Sequence, residues 1–432
     1  MGLIYNLDLF KKSMDKFYRT TLISEDDESI IYKYILLNEG KRIKVKFDKN
    51  ELNNCFNIIN NNFFSEENIE FICKDNEFEV LVDNHSNYSV KNDDWSEFKV
   101  KDENIDIEIS NISNAYNIFL FIKTAEKYTI INYFRSLVFI RNNERDLIGS
   151  GEINLEEDKF INGFNLIRDK NILSLKIKSS KDIKINQFID YKYSYLFNLS
   201  FNYDLTFIEV KNYMHSFIKR RKIKSEIRNS LIPDVPRKKY IIDILKYYQN
   251  AKVIDNLPSK YLSYYHILEY FFEDVHYEEM ITNVKHRISN PNFSLNDDIS
   301  IKEFIKFMED NISAKKGENY IFNEKIALGL TINKYINLAE LEKNLNNINE
   351  DIVKYFKNER CEFSNAKKID FVNYKTIVSR IYKNRNSLVH SKKTSSGRYR
   401  PFKDEAILEK EIELIKVLAE MLIINSGELL QI

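Results

Sequence analysis

Arg385-Asn386-Ser387-Leu388-Val389-His390 holds the residue types in this chain best suited to chemistry. Arg385 carries a guanidinium that stays charged in proteins and offers a planar fork of donors suited to phosphate oxygens. His390 carries an imidazole that takes up or gives a proton near neutral pH. Together they are two of the groups needed to cleave RNA without a metal. One stabilises charge on the phosphate, and the other moves protons at the attacking hydroxyl or the leaving oxygen. The amide of Asn386 would hold a phosphate oxygen or fix the backbone of the motif. On a regular helix five positions give roughly 140° of rotation and about 7.5 Å of rise, so Arg385 and His390 do not lie on one line. They converge on a single phosphate only if the helix is broken nearby or a second copy of the chain completes the site. The second arrangement is the one expected.

The elements that must position this stretch are helical. Residues 240–249, 259–272, 301–311, 335–355, 366–382 and 404–424 read as helices. Pro258 stands just before the second, and Ile267, Tyr270 and Phe271 recur in it at helical spacing. Phe371, Tyr374, Ile377 and Ile381 make one stripe on the fifth. In the last, Asp404 is the expected N-cap, Leu408, Ile412, Ile415 and Leu422 face inward, and Gly427 ends the helix. The expected result is a helical bundle with the Arg-His motif near the end of its penultimate helix.

Arg-Asn-x-x-x-His, preceded by Tyr382-Lys383-Asn384 and a helical pattern, resembles the catalytic motif of HEPN-domain ribonucleases. Upstream, Lys260-Tyr261-Leu262-Ser263-Tyr264-Tyr265-His266-Ile267-Leu268-Glu269-Tyr270-Phe271-Phe272 resembles the first core helix of the ApeA-like branch, which is associated with bacterial anti-phage defence. The resemblance covers the helical half of the chain. It implies an all-α, homodimeric, metal-independent and cofactor-free endoribonuclease with RNA as substrate. Arg385, Asn386 and His390 would be its catalytic residues. Separately, on the residues alone, Glu269 is read as a buried or interfacial acid that pairs with a basic residue, Arg385 being one candidate, and would then orient its guanidinium. The chain departs from one HEPN branch, whose toxins carry a Tyr two residues after the His; here that position is Lys392, and Ser391 replaces a common Gly.

A metal site is the competing reading of the upstream helix. His266, Glu269, Glu273 and His276 are spaced to share one helix face, and Glu273-Asp274-Val275-His276 has the Glu-x-x-His form of carboxylate-bridged iron sites. Such a site needs a second Glu-x-x-His, and the sequence has none, so no metal is expected.

Two basic clusters could meet an RNA backbone. Lys219-Arg220-Arg221-Lys222-Ile223-Lys224 is the densest, although single charge runs are usually solvated helix faces. Lys392, Lys393, Arg398 and Arg400 follow the motif with Tyr399 interleaved, a pattern that single-strand binders use. Pro233 and Pro236 mark a domain boundary, giving a β-rich recognition or regulatory domain over 1–230 and the helical domain over 231–432.

The first half alternates with period two. Ile43, Val45 and Phe47 oppose Lys44 and Lys46, and Phe78, Val80 and Val82 repeat the pattern. Asn38-Glu39-Gly40 and Asp102-Glu103-Asn104 read as hairpin turns. Residues 115–140 fit either long strands or a buried helix. Residues 153–160 and 173–185 read as strands, and 191–207 is expected to close the sheet. Gly149-Ser150-Gly151 begins like a dinucleotide loop, but Asn154 stands where the third Gly belongs. The fold class expected is therefore α+β: an antiparallel β-rich domain followed by an all-α, HEPN-like bundle.

Composition bounds the rest. The 65 basic and 65 acidic residues cancel, which excludes a bulk polycation and leaves nucleic-acid contacts to local clusters. The three cysteines, Cys55, Cys73 and Cys361, form no C-x-x-C pair and point to reduced thiols in a cytoplasmic protein. Neither a signal peptide nor a membrane span is expected. A nuclease that cuts host RNA must be restrained, so the β-rich half is expected to sense a phage-derived or cellular trigger. The alternative is a non-catalytic dimeric binding or sensor protein.

Overall fold

The computed structural model describes residues 4–67, 69–86, 98–126, 140–141, 143–153, 160–168, 172–210, 233–311, 323–390 and 397–430. They fall into two compact units, one ending at Arg237 and the other spanning Lys238–Leu430. The fold is α+β, with sheets in the first unit and a helical second unit. Among the described residues no helix is long and apolar enough to cross a membrane.

The first unit runs α1 (Leu7–Tyr18), β1 (Thr21–Glu25), β2 (Ser29–Ile35), β3 (Arg42–Asp48), α2 (Lys49–Asn62), β4 (Phe63–Glu66), β5 (Ile69–Lys74), β6 (Glu77–Asn84), β7 (Val100–Lys101), β8 (Ile105–Asn111) and α3 (Asn114–Glu126). It continues with α4 (143–149), β9 (Phe160–Asn162), α5 (Gly163–Ile167), β10 (Leu173–Ser179), α6 (Ile185–Tyr203) and β11 (Phe207–Glu209). One sheet has the order β1-β2-β3-β9, with β9 parallel to β3. The other has the order β4-β5-β6-β10-β8-β7, and β11 pairs with the far end of β6.

Both expected hairpin turns are present. Gly40 takes the left-handed conformation (φ 67°) between β2 and β3, and the carboxylate of Asp102 accepts from the backbone of Asn104 and Ile105 between β7 and β8. The meander is interrupted, however, by α2, which Asp48 caps by accepting from the backbone N–H of Glu51. Residues 114–126 resolve as helix, and 127–139 lie outside the described residues. The stretch 191–207 does not close the sheet. Most of it belongs to the 19-residue α6, buried on nearly all sides, and only Phe207–Glu209 adds a short strand. Its aromatics do not alternate; they pack, as Phe188 stacks on Phe78 with ring centroids 5.6 Å apart. Gly149-Ser150-Gly151 ends α4, with Gly151 at φ 77° donating to the carbonyl of Ile148. A dinucleotide loop needs such glycines to open a helix.

The second unit contains β12 (Lys238–Lys239), α7 (Ile242–Val253), α8 (Leu257–Glu269), α9 (Phe272–Ile288), α10 (Asp298–Asn311), α11 (Glu324–Tyr335), α12 (Leu338–Ile348), α13 (Glu350–Asn358), α14 (Tyr374–Val389), α15 (Glu405–Ser426) and β13 (Glu428–Leu429). The central helix is α8, packed against α7, α11, α14 and α15. Asn256 caps it and Pro258 occupies its first turn, where a missing N–H costs nothing.

Three expected helices are cut differently. The 259–272 helix stops at Glu269 and a new one starts at Phe272. The expected 335–355 helix is three, because Asn337 and Asn349 each turn back to cap the helix that follows. The expected 366–382 helix begins only at Tyr374, capped by Asn373. Gly427 follows α15 as expected but in extended backbone (φ −71°); a Cβ there would lie 2.7 Å from the Tyr240 ring, so the glycine is needed for close packing.

Burial pushes the thiols of Cys55 and Cys361 up to about 12, and raises that of half-buried Cys73. With a thiol-specific reagent at about pH 8, Cys73 is expected to react first and the other two only on unfolding. Fast labelling of Cys361 in the native protein would contradict this packing.

Candidate active site

The helix that carries the motif is anchored from behind by a buried ion pair. Arg380 on α14 and Glu411 on α15 are fully enclosed, and Arg380 Nη2 donates to Glu411 Oε1 at 2.6 Å while Nε reaches Oε2 at 3.1 Å. Arg380 Nη1 donates to the carbonyls of Glu359 and Lys367, in the loop between α13 and α14. The Tyr355 hydroxyl donates to Glu411 Oε1 at 2.8 Å and Asn384 Nδ2 to Oε2 at 2.7 Å. Ser364 Oγ in turn donates to Asn384 Oδ1. The rings of Tyr355 and Phe356 lie 5.1 and 4.8 Å from the guanidinium carbon. Burial disfavours the charge on Arg380, but the hydrogen bonds and charge of Glu411 outweigh it and hold the group above its ordinary value.

Arg385 lies five residues further along α14, mostly buried. Its guanidinium carbon is 5.5 Å from the centre of the Tyr265 ring on α8. Nη1 is 3.4 Å from Glu324 Oε2, at the first residue of α11, and donates to Asn386 Oδ1 at 3.2 Å. Nη2 is 4.0 Å from Glu269 Oε1. Glu269 thus faces Arg385 as expected, but its short hydrogen bond is from His266 Nδ1, at 2.8 Å. Glu324 is the closer acid, and the sequence reading missed it. Its only signal was its place after Asn323, a helix-capping residue.

The Tyr265 hydroxyl is buried in this cluster with no hydrogen-bond partner among the described residues. Burial pushes it well above its ordinary value, although Arg385 acts the other way. The hydrogen bond from His266 holds the Glu269 carboxyl below its ordinary value; burial opposes this, and the charges of His266 and Arg385 add to it.

His390 is the residue at which α14 ends. Its backbone N–H donates to the carbonyl of Asn386 at 2.9 Å and its φ and ψ (−107°, 108°) are extended. The side chain is exposed and makes no hydrogen bond or ion pair among the described residues. No hydrogen bond joins Arg385 to His390. The C-terminal end of a helix is its negative end, so α14 gives an anion no help there and phosphate affinity would rest on the guanidinium.

The expected RNA-binding residues divide. Lys392 and Lys393 lie outside the described residues, as does the 219–224 run. Arg398 is exposed. Tyr399 is half-buried, its ring edge-on to Phe363 at 5.7 Å and its N–H directed at the Ser387 carbonyl. Arg400 is committed to Asp404, with Nε and Nη2 each 3.1 Å from a carboxylate oxygen. Asp404 is consequently held by Arg400 and makes no side-chain cap on α15. Tyr399 therefore ties the segment before α15 to the end of α14, and Arg400 ties it to the start of α15. The four residues of the metal reading are split between α8 and α9, and among the described residues no three His, Cys, Asp or Glu side chains are placed to hold an ion.

No family model, curated protein or solved structure matches this chain.

Removing one partner of a buried ion pair leaves an uncompensated charge. Arg380→Met or Glu411→Leu alone should therefore cost about 3–5 kcal/mol in urea unfolding, and the double substitution less than the sum of the two. Additive losses would show that the two side chains do not act as a pair. Glu269 is a smaller case. Its lowered value means its contribution is present above about pH 4.5 and fades as pH falls through the lowered value. Glu269→Gln should flatten that acid limb by less than about 1 kcal/mol, since the pair is partly exposed; an unchanged limb would refute the assignment.

Proposed function

We propose that the helical unit is a metal-independent endoribonuclease of the HEPN type. The observation that carries this reading is the contrast at the end of α14. Arg385 is fixed by an aromatic ring and two carboxylates, while the His390 imidazole stands exposed just beyond the helix. A fixed cation is what a phosphate needs, and an open imidazole is what a proton transfer needs.

In this mechanism the 2′-hydroxyl oxygen attacks phosphorus and the bond to the 5′-oxygen breaks. The products are a 2′,3′-cyclic phosphate and a 5′-hydroxyl. One imidazole removes the 2′ proton and a second donates a proton to the leaving oxygen. A second copy of the chain supplies the second His390, which removes the need for both residues to align on one helix. Arg385 stabilises the extra charge on the non-bridging oxygens, and Asn386 holds the guanidinium edge. RNA is the substrate because DNA lacks the attacking hydroxyl. The β-rich unit would restrain this activity until it meets a signal of phage infection.

Glu324 bears on the same chemistry. Its carboxylate occupies Arg385 Nη1 and would repel an incoming phosphate, so substrate must displace it. The same neutralisation favours a second reading, a binding protein without turnover.

RNA cleavage in EDTA separates the two. Wild type should cleave, and Arg385→Ala and His390→Ala should each lower the rate by about 10²-fold or more. A 2′-deoxy sugar at the cleaved position should block the reaction. Cleavage persisting in both variants would sink the mechanism. Glu324→Gln should lower KM for RNA by several-fold; a raised KM would instead make Glu324 a substrate-binding or positioning residue.

A further inference from the structure

The helix α9 (Phe272–Ile288) has only two buried side chains, Phe272 and Val275, both in its first turn. Its opposite face carries Ile281 (47% exposed), Val284 and Ile288 (50% exposed), with Tyr277 at the near end (54% exposed). The spacing of these four residues is four, three and four, the repeat of a helix-pairing seam. It reads the same from either end: reversing the helix about the midpoint between Thr282 and Asn283 exchanges Tyr277 with Ile288 and Ile281 with Val284.

Charge along the same helix is polarised. Glu273, Asp274, Glu278 and Glu279 lie in its first half, and Lys285, His286 and Arg287 in its last turn. We propose that α9 is an interface between two copies of this chain, pairing antiparallel with its own symmetry mate about a two-fold axis through the middle of the helix. In that arrangement Ile281 meets the partner's Val284, and Tyr277 meets the partner's Ile288. Glu278, on one flank of the seam, lies beside the partner's Lys285, and the two-fold axis makes the pair twice. A parallel arrangement would bring Glu273 against the partner's Glu278, two like charges. The polarity therefore selects both the occupant and its direction: the complement of this surface is the surface itself reversed.

The contacts that Glu278 and Arg287 make among the described residues leave room for this. Lys334 of α11 pairs with Glu278, whose side chain remains 60% exposed, and Arg287 stacks on Phe307 with its guanidinium carbon 4.0 Å from the ring centre. The seam is about 16 Å long, which is short for an isolated coiled coil. A dimer of modest affinity follows, with mass that depends on concentration. The inference needs no catalysis and stands whether the second unit cleaves RNA or only binds a partner.

Sedimentation of the full chain tests it. Wild type should shift from monomer at about 1 µM toward dimer at about 100 µM, and Ile281→Glu should stay monomeric with unchanged circular dichroism. Glu278→Lys and Lys285→Glu should each weaken association by about 3–10-fold, and the double variant should restore it. A chain monomeric at every concentration, a dimer that survives Ile281→Glu, or no restoration in the double variant would each overturn the proposal. Direction is read by mild oxidation. Tyr277→Cys copies should cross-link to Ile288→Cys copies and not to themselves, because only antiparallel pairing brings those positions within disulfide reach; self-linked Tyr277→Cys would overturn the antiparallel register.

Discussion

The second unit is organised by the charge pair between Arg380 and Glu411. Two full charges out of water are unfavourable unless nearly every donor and acceptor is used. Here the guanidinium also feeds the carbonyls of Glu359 and Lys367, and the carboxylate also accepts from Tyr355 and Asn384. Those partners come from α13, α14, α15 and the loop between α13 and α14. Satisfying one buried pair therefore fixes the rotation of α14 about its own axis. That rotation decides where Arg385 points.

Much of this was legible in the chain. The apolar stripe on α15 fell where expected, as did Ile377 and Ile381 on α14, although Phe371 precedes that helix, and the Pro258 signal placed the start of α8 to within two residues. Helix boundaries were less legible because Asn is abundant here and a capping Asn looks like any other. Asn337, Asn349 and Asn373 each start a helix by accepting from the backbone ahead, and Asn349 also ends the helix before it. Apolar spacing runs through those positions unbroken, so periodicity alone joined segments that hydrogen bonding separates. The same limit hid α2, whose first half is largely Lys, Asn and Glu, and it left α6 looking like sheet because aromatic content says little about period.

The candidate site was legible only in its chemistry. Arg385, Asn386 and His390 are recognisable as residue types, and Glu269 was within reach of a helix-face argument. Glu324 and Tyr265 were not, because their closeness to Arg385 comes from α8, α11 and α14 packing together. The role of Arg400 was hidden for a related reason. Beside a basic cluster it read as a nucleic-acid contact, while its actual partner is Asp404, four residues on.

Two arginines on one helix thus meet opposite circumstances. Arg380 is fully buried, and each of its guanidinium nitrogens is hydrogen-bonded within the fold. Arg385 is held by looser, partly wetted acids at 3.4 and 4.0 Å. Anchoring of the scaffold and the candidate site consequently fall to different cations. If Arg385 binds phosphate as proposed, substitutions at Glu324 or Glu269 would retune that binding while the scaffold that Arg380 secures is left alone.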